Sequence, residues 1–269
     1  MDYLFDPSNW EWLTSGNNLE FLLKAFLVNL EIAAIAIVFS LIFGLLLALT
    51  RLSRLRPLAI VGGVWVDLWR NLPLIFIILY LALAMPPSWQ DAYEDVVPSF
   101  FPEALQSGRV FAGILGLVLY NSAVIAEIMR AGIISLDRGQ GEAAASVGLT
   151  YPQQLRYVIL PQGLRRMVPA TVSQLITLNK DTTLVSIIAI SEVMRAGRTL
   201  SSGFTAFVGG VDAPLLQVFI FIGLLFVAVN FALSRLSRRL EVRERKRTGG
   251  IAGPVIGLED QTALAVESR

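Results

Sequence analysis

The sequence predicts an all-helical integral membrane protein with five spanning segments and a helix–turn–helix loop on its cytoplasmic side. Three observations carry this reading. Of 269 residues, 55% are hydrophobic and 16% are charged, against about 25% charged in a soluble domain. Apolar runs of about 20 residues, the length that crosses a ~30 Å hydrocarbon core at ~1.5 Å per residue, recur along the chain. Lys and Arg gather in alternate connecting segments, as the positive-inside rule requires of cytoplasmic loops.

The spans follow in order. The first runs from about Ala25 to Leu49 and the third from Val110 to Ile134. The fifth runs from about Pro214 to Leu233, and these three are the strongest apolar runs, although Asn29 and Glu31 lie in the first and Glu127 and Arg130 in the third. The second, about Leu58 to Ala84, contains Asp67, Arg70, Asn71 and Pro73. The fourth, about Met167 to Ile190, contains Lys180 and Asp181. Arg51, Arg54 and Arg56 follow the first span, and Arg138, Arg156, Arg165 and Arg166 lie between the third and fourth. Seven bases from Arg235 to Arg247 follow the fifth. These regions are expected in the cytoplasm. The acidic N-terminal segment, residues 1–24, and the acidic loop Met85–Arg109 are expected outside, as is Ser191–Asp212 despite Arg195 and Arg198. The organisation is therefore an external N-terminal segment (1–24), a transmembrane domain (25–234) and a cytoplasmic basic segment (235–269). That segment anchors the last span by charge and ends in a flexible tail from Thr248. The acidic N-terminus does not read as a cleavable signal peptide.

Composition removes several function classes. The chain has no histidine and no cysteine. A Ser-His-Asp triad, a His- or Cys-ligated metal and a disulfide framework are all excluded. With 22 Lys+Arg against 21 Asp+Glu, no bulk charge argues for nucleic acid. Ser173 and Lys180, seven residues apart on one helix, stand ~10 Å apart, too far for a catalytic dyad.

The loop from Ser135 to Gly163 is unusual for a connector. Asp137 is placed to cap a helix rich in small residues, Gly141, Ala143, Ala144 and Ala145. Gly148 is placed to end it in a left-handed conformation. Thr150 caps a second short helix, with Pro152 in its first turn, and Pro161 is expected to stop or kink it. The outcome is an elbow on the cytoplasmic face.

Within this elbow, Glu142-Ala143-Ala144, Gly148, Val158 and Leu160-Pro161 stand at the spacing EAA-x3-G-x9-I-x-L-P, with Val for Ile. This resembles the EAA loop of ABC importer permeases. Gly139-Gln140, Gln162, Ala126-Glu127-Ile128 with Arg130 and Gly132, Lys180-Asp181-Thr182-Thr183-Leu184 and Glu192 are similar to the polar amino-acid branch. Arg70-Asn71-Leu72-Pro73-Leu74 resembles that branch's Arg-Gly-Thr-Pro-Leu, with Asn-Leu for Gly-Thr, and Ser122-Ala123-Val124 stands where the branch often has Ala-Tyr. The matches cover residues 25–235. The resemblance implies a type I ABC importer permease subunit, in which Gly141, Glu142, Ala143, Ala144 and Gly148 couple to a dimer of separate ATP-binding subunits. It further implies a second permease subunit, identical or related, and an external substrate-binding protein. This chain lacks a G-x-x-x-x-G-K-[ST] loop, so ATP and magnesium are expected on the partner and no cofactor here.

Ionisable residues at bilayer depth are functional candidates by default. Asp67 and Arg70 are one turn apart, as are Glu127 and Arg130, and either pair is able to neutralise itself and serve packing alone. For Glu127–Arg130 that is the preferred reading. Lys180 has no such partner, because Asp181 points about 100° away. Asp67, Arg70, Asn179, Lys180 and Thr183 are therefore expected to border a translocation pathway. A zwitterionic amino acid needs a cation for its carboxylate and an acceptor for its ammonium. Basic, acidic and amide amino acids all satisfy this, and the cationic residues tilt the choice toward glutamate or aspartate. The alternative is an ion-coupled secondary transporter or channel, against which stand the EAA spacing and the lack of an internal repeat.

Overall fold

In the computed structural model, which describes residues 6–202 and 213–247, the first span is one 34-residue helix, α1 (Asn18–Arg51). The expected flexible tail from Thr248 and part of Ser191–Asp212 lie outside the described residues. In the C-terminal half of α1 the sidedness is one of size: Ala33, Ala36, Ser40, Gly44 and Ala48 are buried, whereas Phe39, Ile42, Phe43 and Leu46 face outward. Nearer its start α1 also buries Leu22, Phe26, Val28 and Ile32. Between helices in lipid there is no hydrophobic gain from contact, and small residues drive association by letting backbones approach. The small row of α1 packs on α6 (Gly108–Ile134), which buries Ala112, Gly113, Gly116, Ala123 and Ala126. The two helices form the centre of the bundle. Ahead of α1, Asp6 caps a short 3-10 helix, Pro7–Leu13, that tucks Trp12 edge-on against Phe221.

The second expected span is not one straight helix. It is two helices, α2 (Arg56–Asn71) and α3 (Leu74–Ala84), bent by 100° at the two-residue break. Pro73 forces Leu72 into extended backbone (ψ 137°) and has no N–H to continue the ladder. α2 crosses the C-terminal parts of α1 and α6, and α3 packs Ile77 and Ile78 inward beside α6. The loop that follows is not bare. It holds α4 (Pro87–Val96) and α5 (Glu103–Gln106), joined by the Tyr93 hydroxyl donating to the Leu105 carbonyl at 2.9 Å.

After α6 come α7 (Arg138–Ser146), α8 (Tyr151–Gln154), a π-helical segment Leu155–Ile159 and α9 (Leu160–Asp181). Pro161 does not stop the chain. It sits in the first turn of α9, where its missing N–H costs least, and the helix widens to π geometry just before it. The fourth expected span is not one helix either. α9 gives way at Asp181 to a 3-10 helix, Thr182–Ile188, which ends in left-handed Ala189 (φ 64°). Then α10 (Val193–Ser201) precedes α11 (Leu215–Arg247).

Three helices among the described residues are long and apolar enough to cross a membrane: α1, α6 and the Leu215–Arg239 part of α11. The bent pair α2–α3 is a fourth candidate. α9, with Gln162, Gln174, Asn179 and Lys180, has the length but not the apolarity, and it packs between α6 and α11. α11 is 33 residues long, or ~50 Å at helical rise. It outruns a ~30 Å core, so the basic segment continues the last span as helix to Arg247.

Candidate functional site

The polar side chains inside the bundle form three groups. The first lies where α1 and α6 end. Glu127 on α6 accepts from Arg130 Nε at 3.0 Å and from Arg51 Nη1 at 2.9 Å, and Arg70 Nη1 stands 4.0 Å away. Arg51 also reaches Asp67 at 3.4 Å. Three guanidiniums from three helices thus surround one carboxylate, with Asp67 at the margin. Glu127 and Arg130 pair as their spacing predicts. Asp67 and Arg70 do not pair: Asp67 turns to Arg51 and Arg70 turns toward Glu127. Their helix ends one residue past Arg70, which leaves Asp67 56% and Arg70 37% exposed, and Arg51 is the better-buried partner at 18% side-chain exposure.

Glu127 is the hub of this group. Glu127→Ala is expected to lower the unfolding temperature, because it leaves Arg51, Arg70 and Arg130 facing one another. With Glu127 still 24% exposed, the cost is about 1–3 kcal/mol rather than the larger loss of a fully buried pair. A second change, Arg130→Met, is expected to restore part of it. Thermal unfolding of the detergent-solubilised protein measures both, and equal unfolding temperatures for Glu127→Ala and wild type would remove the hub.

The second group lies along α9. Lys180 is the penultimate residue of α9 and is exposed, and its carbonyl accepts from the Thr183 hydroxyl at 2.8 Å. Asn179 is only 3% exposed, and its amide donates to Asn230 Oδ1 at 3.0 Å. It therefore joins α9 to α11, while Gln174 donates to Asn121 and joins α9 to α6. Gly132 and Gly163 mark where α9 starts against α6: a Cβ on Gly163 would lie 2.9 Å from Ile133 Cα, and one on Gly132 2.7 Å from the Gly163 carbonyl. Lys180 is 17 residues beyond that crossing, ~25 Å along the helix. Asp67 and Arg70 therefore stand at one level and Asn179, Lys180 and Thr183 at another, and the five residues do not form a single cluster.

The third group was not singled out as a site by sequence reasoning. Asn29, Thr182 and Glu192 are all fully buried. Asn29 donates to Glu192 Oε2 at 2.9 Å and to Thr182 Oγ1 at 3.1 Å, and its carbonyl oxygen accepts from the Val193 N–H. Glu192 also caps α10 by accepting from the Arg195 N–H at 2.9 Å. This ties α1 to the break after Asp181. The available signal was a Glu one residue before a helix start, the usual place for a capping carboxylate; its partner, 163 positions away, left no local trace.

The cytoplasmic loop is built as a chain of caps. Asp137 accepts from the Gly139 N–H at 2.7 Å and starts α7. Ala144 faces inward, and Glu142, Ala143, Ala145 and Ser146 face outward. Gly148 turns the chain at φ 84°, a conformation only glycine takes without cost. Gln153 accepts from both the N–H and the hydroxyl of Thr150, which starts α8. Gln162 donates to Gln140 at 3.0 Å, and Arg166 to the Ser135 carbonyl at 2.7 Å, folding the loop onto its own helices. What remains outward is a short helix rich in small residues, with one acid (Glu142) and one base (Arg138), a shape that another protein's cleft is able to approach closely.

Comparison with known proteins adds to this geometry. The model of the family described as binding-protein-dependent transport system inner membrane component matches residues 40–246. The chain is 37% identical over 230 residues to the probable glutamine ABC transporter permease protein GlnP of Bacillus subtilis, spanning 86% of this chain and 96% of that protein. It is 29% identical over 234 residues to the glutamate/aspartate import permease protein GltK of Escherichia coli O6:H1, spanning 87% and 98%. Among solved structures it is similar to that of an amino acid ABC transporter with histidines. There the TM-score is 0.67 and the identity 25%, over 84% of this chain and 94% of that one. An inward-facing structure of the MetNI methionine ABC transporter shares the fold, with a TM-score of 0.54 at 19% identity over 87% and 98%.

Proposed function

The chain belongs to the family of inner-membrane components of binding-protein-dependent transport systems, and from that premise we propose that it is the permease subunit of an ATP-driven importer of polar amino acids. The observation that carries the substrate class is the 37% identity to the glutamine permease over nearly the whole of both chains. The glutamate/aspartate permease supports an acidic or amide side chain, and the cations Arg70 and Lys180 against the single acid Asp67 among the pathway residues agree with it.

The mechanism is alternating access. A binding protein delivers the amino acid to the outer side. A separate dimer of ATP-binding subunits engages the loop from Ser135 to Gly163 through Gly141, Glu142, Ala143, Ala144 and Gly148. Its closure and reopening shift the permease between outward- and inward-open states, which a partner is able to do only by binding the two states with different affinity. A second permease subunit, identical or related, completes the pathway. No covalent chemistry occurs on this chain, and ATP and magnesium bind the partner. Five spans with the N-terminus outside and the C-terminus cytoplasmic suit this arrangement, with the bent α2–α3 and the broken α9 as the second and fourth.

The two levels of charge suit two steps. Lys180 and Thr183, beside the buried Asn179, meet the substrate at depth; Lys180 offers a cation to its carboxylate. Asp67 and Arg70 border the exit, where Arg51 and Glu127 already hold them. Uptake of labelled glutamine, glutamate, aspartate, arginine and histidine by proteoliposomes bearing the assembled transporter tests the assignment. Saturable uptake of glutamine or the acidic amino acids is the expected result, and no ATP-driven uptake of any of the five would overturn it.

A further inference from the structure

The corner between α1 and α2 is tied to the cytoplasmic loop by a contact that crosses 99 positions of sequence. The Tyr151 hydroxyl donates to the Leu52 carbonyl at 3.0 Å. The guanidinium carbon of Arg54 lies 3.8 Å from the centroid of the same ring. Leu52 caps α1, so its carbonyl is among those a helix end leaves without an intrahelical partner, and the phenol supplies one. Arg54, on the other side of the corner, is held by the ring face, the favoured geometry for a guanidinium on an aromatic. One side chain on the first residue of α8 therefore engages both sides of the turn.

The other polar contacts of the loop, Gln162 to Gln140 and Arg166 to Ser135, keep it on the two helices it connects. Tyr151 reaches a different pair. What lies beyond that pair gives the contact its meaning. Arg51, one residue before Leu52, is the guanidinium that bridges Asp67 and Glu127. α2 is seated tightly on the same corner, since a Cβ on Gly62 would lie 2.2 Å from Thr50 Oγ1 and 3.5 Å from Arg51 Cγ. A displacement of Tyr151 is thus passed to Leu52 and Arg54, and from there through a close-packed junction to Arg51 and α2, which carries Asp67 and Arg70.

We propose that Tyr151 is a positioning residue for transport, latching the α1–α2 corner to the loop so that the loop's movement is carried to the charged group around Glu127. This rests on the reading of the loop as the contact with the ATP-hydrolysing subunit. It adds a second route from loop to membrane, beside the direct continuation into α9. The route works because the latch and the charged group share one corner: the loop need not bend α9 in order to move Arg51.

The test uses the assembled transporter in proteoliposomes and reads three quantities: ATP-driven uptake, ATP hydrolysis and the KM for the labelled amino acid. Tyr151→Phe keeps the ring for Arg54 and loses the hydroxyl; Tyr151→Leu loses both. With one hydrogen bond and one cation–π contact at stake, amino acid moved per ATP hydrolysed is expected to fall about threefold in the first and about tenfold in the second, while KM and assembly hold. The chain has no native cysteine, so spin labels on cysteines placed at the exposed Leu55 and Val147 report the corner-to-loop distance. That distance is expected to stay constant between nucleotide-free and ATP-bound states in the otherwise native chain, and to change in Tyr151→Leu. A native distance that changes between states, or an unchanged uptake-to-hydrolysis ratio in Tyr151→Leu, overturns the latch alone. Uptake that ignores ATP in the wild type overturns instead the reading on which it rests.

Discussion

ATP-driven uptake is expected to fall about a hundredfold in Glu142→Arg, with the permease still folded and inserted. Glu142 is exposed on α7, the one acid of that helix, beside the exposed Ala143, Ala145 and Ser146 and one turn from the exposed Arg138. Small side chains let a partner's cleft close on the helix backbone. An arginine there both fills that space and reverses the charge the cleft meets. Like-charge juxtaposition at an interface costs several kcal/mol, and about 1.4 kcal/mol is a factor of ten. Glu142 takes part in none of the ion pairs within the described residues, so the unfolding temperature is expected to hold. Glu142→Gln separates the two causes, because it keeps the shape and removes only the charge; a smaller loss is expected. Uptake in Glu142→Arg equal to wild type would remove the loop from the coupling role.

Lys180→Ala carries the second large effect. Uptake is expected to fall between tenfold and a hundredfold, the loss of one hydrogen bond to a charged group at about 1.5–3 kcal/mol. Assembly and basal ATP hydrolysis are expected to persist, because Lys180 is exposed and its side chain joins no ion pair within the described residues. Lys180→Arg is expected to recover part of the rate by keeping the cation. The neighbouring Asn179 behaves differently. Its amide binds Asn230, so Asn179→Ala is expected to loosen α9 from α11 and to change stability as well as rate. Uptake and its KM both unchanged in Lys180→Ala would exclude Lys180 from the pathway.

The parts of this fold that were legible in the sequence are those whose signal is local. α1, α6 and α11 are apolar over enough consecutive residues that bilayer thickness alone identifies them. The caps of the loop, Asp137, Gly148 and Thr150, act within three residues of themselves, and each stands where its chemistry placed it. The EAA spacing likewise lies within one loop. Legibility ends where geometry depends on partners far away. Pro73 marked a disturbance in the second span, but a 100° bend follows from how α3 packs on α6, which no local pattern records. Pro161 looked like a stop, yet the chain met it with π geometry at Leu155–Ile159 and went on. The i,i+3 spacing pairs Glu127 with Arg130, whereas the same spacing leaves Asp67 and Arg70 apart, because Arg51 arrives from another helix. Glu192 was legible as part of the resemblance, but its buried bond to Asn29, 163 positions away, left no trace in the local pattern.

On the proposed function, ATP hydrolysed by a partner, relayed through the loop Ser135–Gly163, moves a polar amino acid through this chain. The most direct measurement is uptake of labelled glutamine and glutamate into proteoliposomes holding this permease, its second permease, the ATP-binding subunits and the binding protein, with each component and ATP omitted in turn. Uptake that requires every component and ATP, and persists when ion gradients are collapsed, is the predicted result. Uptake by this chain alone, driven by an ion gradient without ATP, would contradict the account.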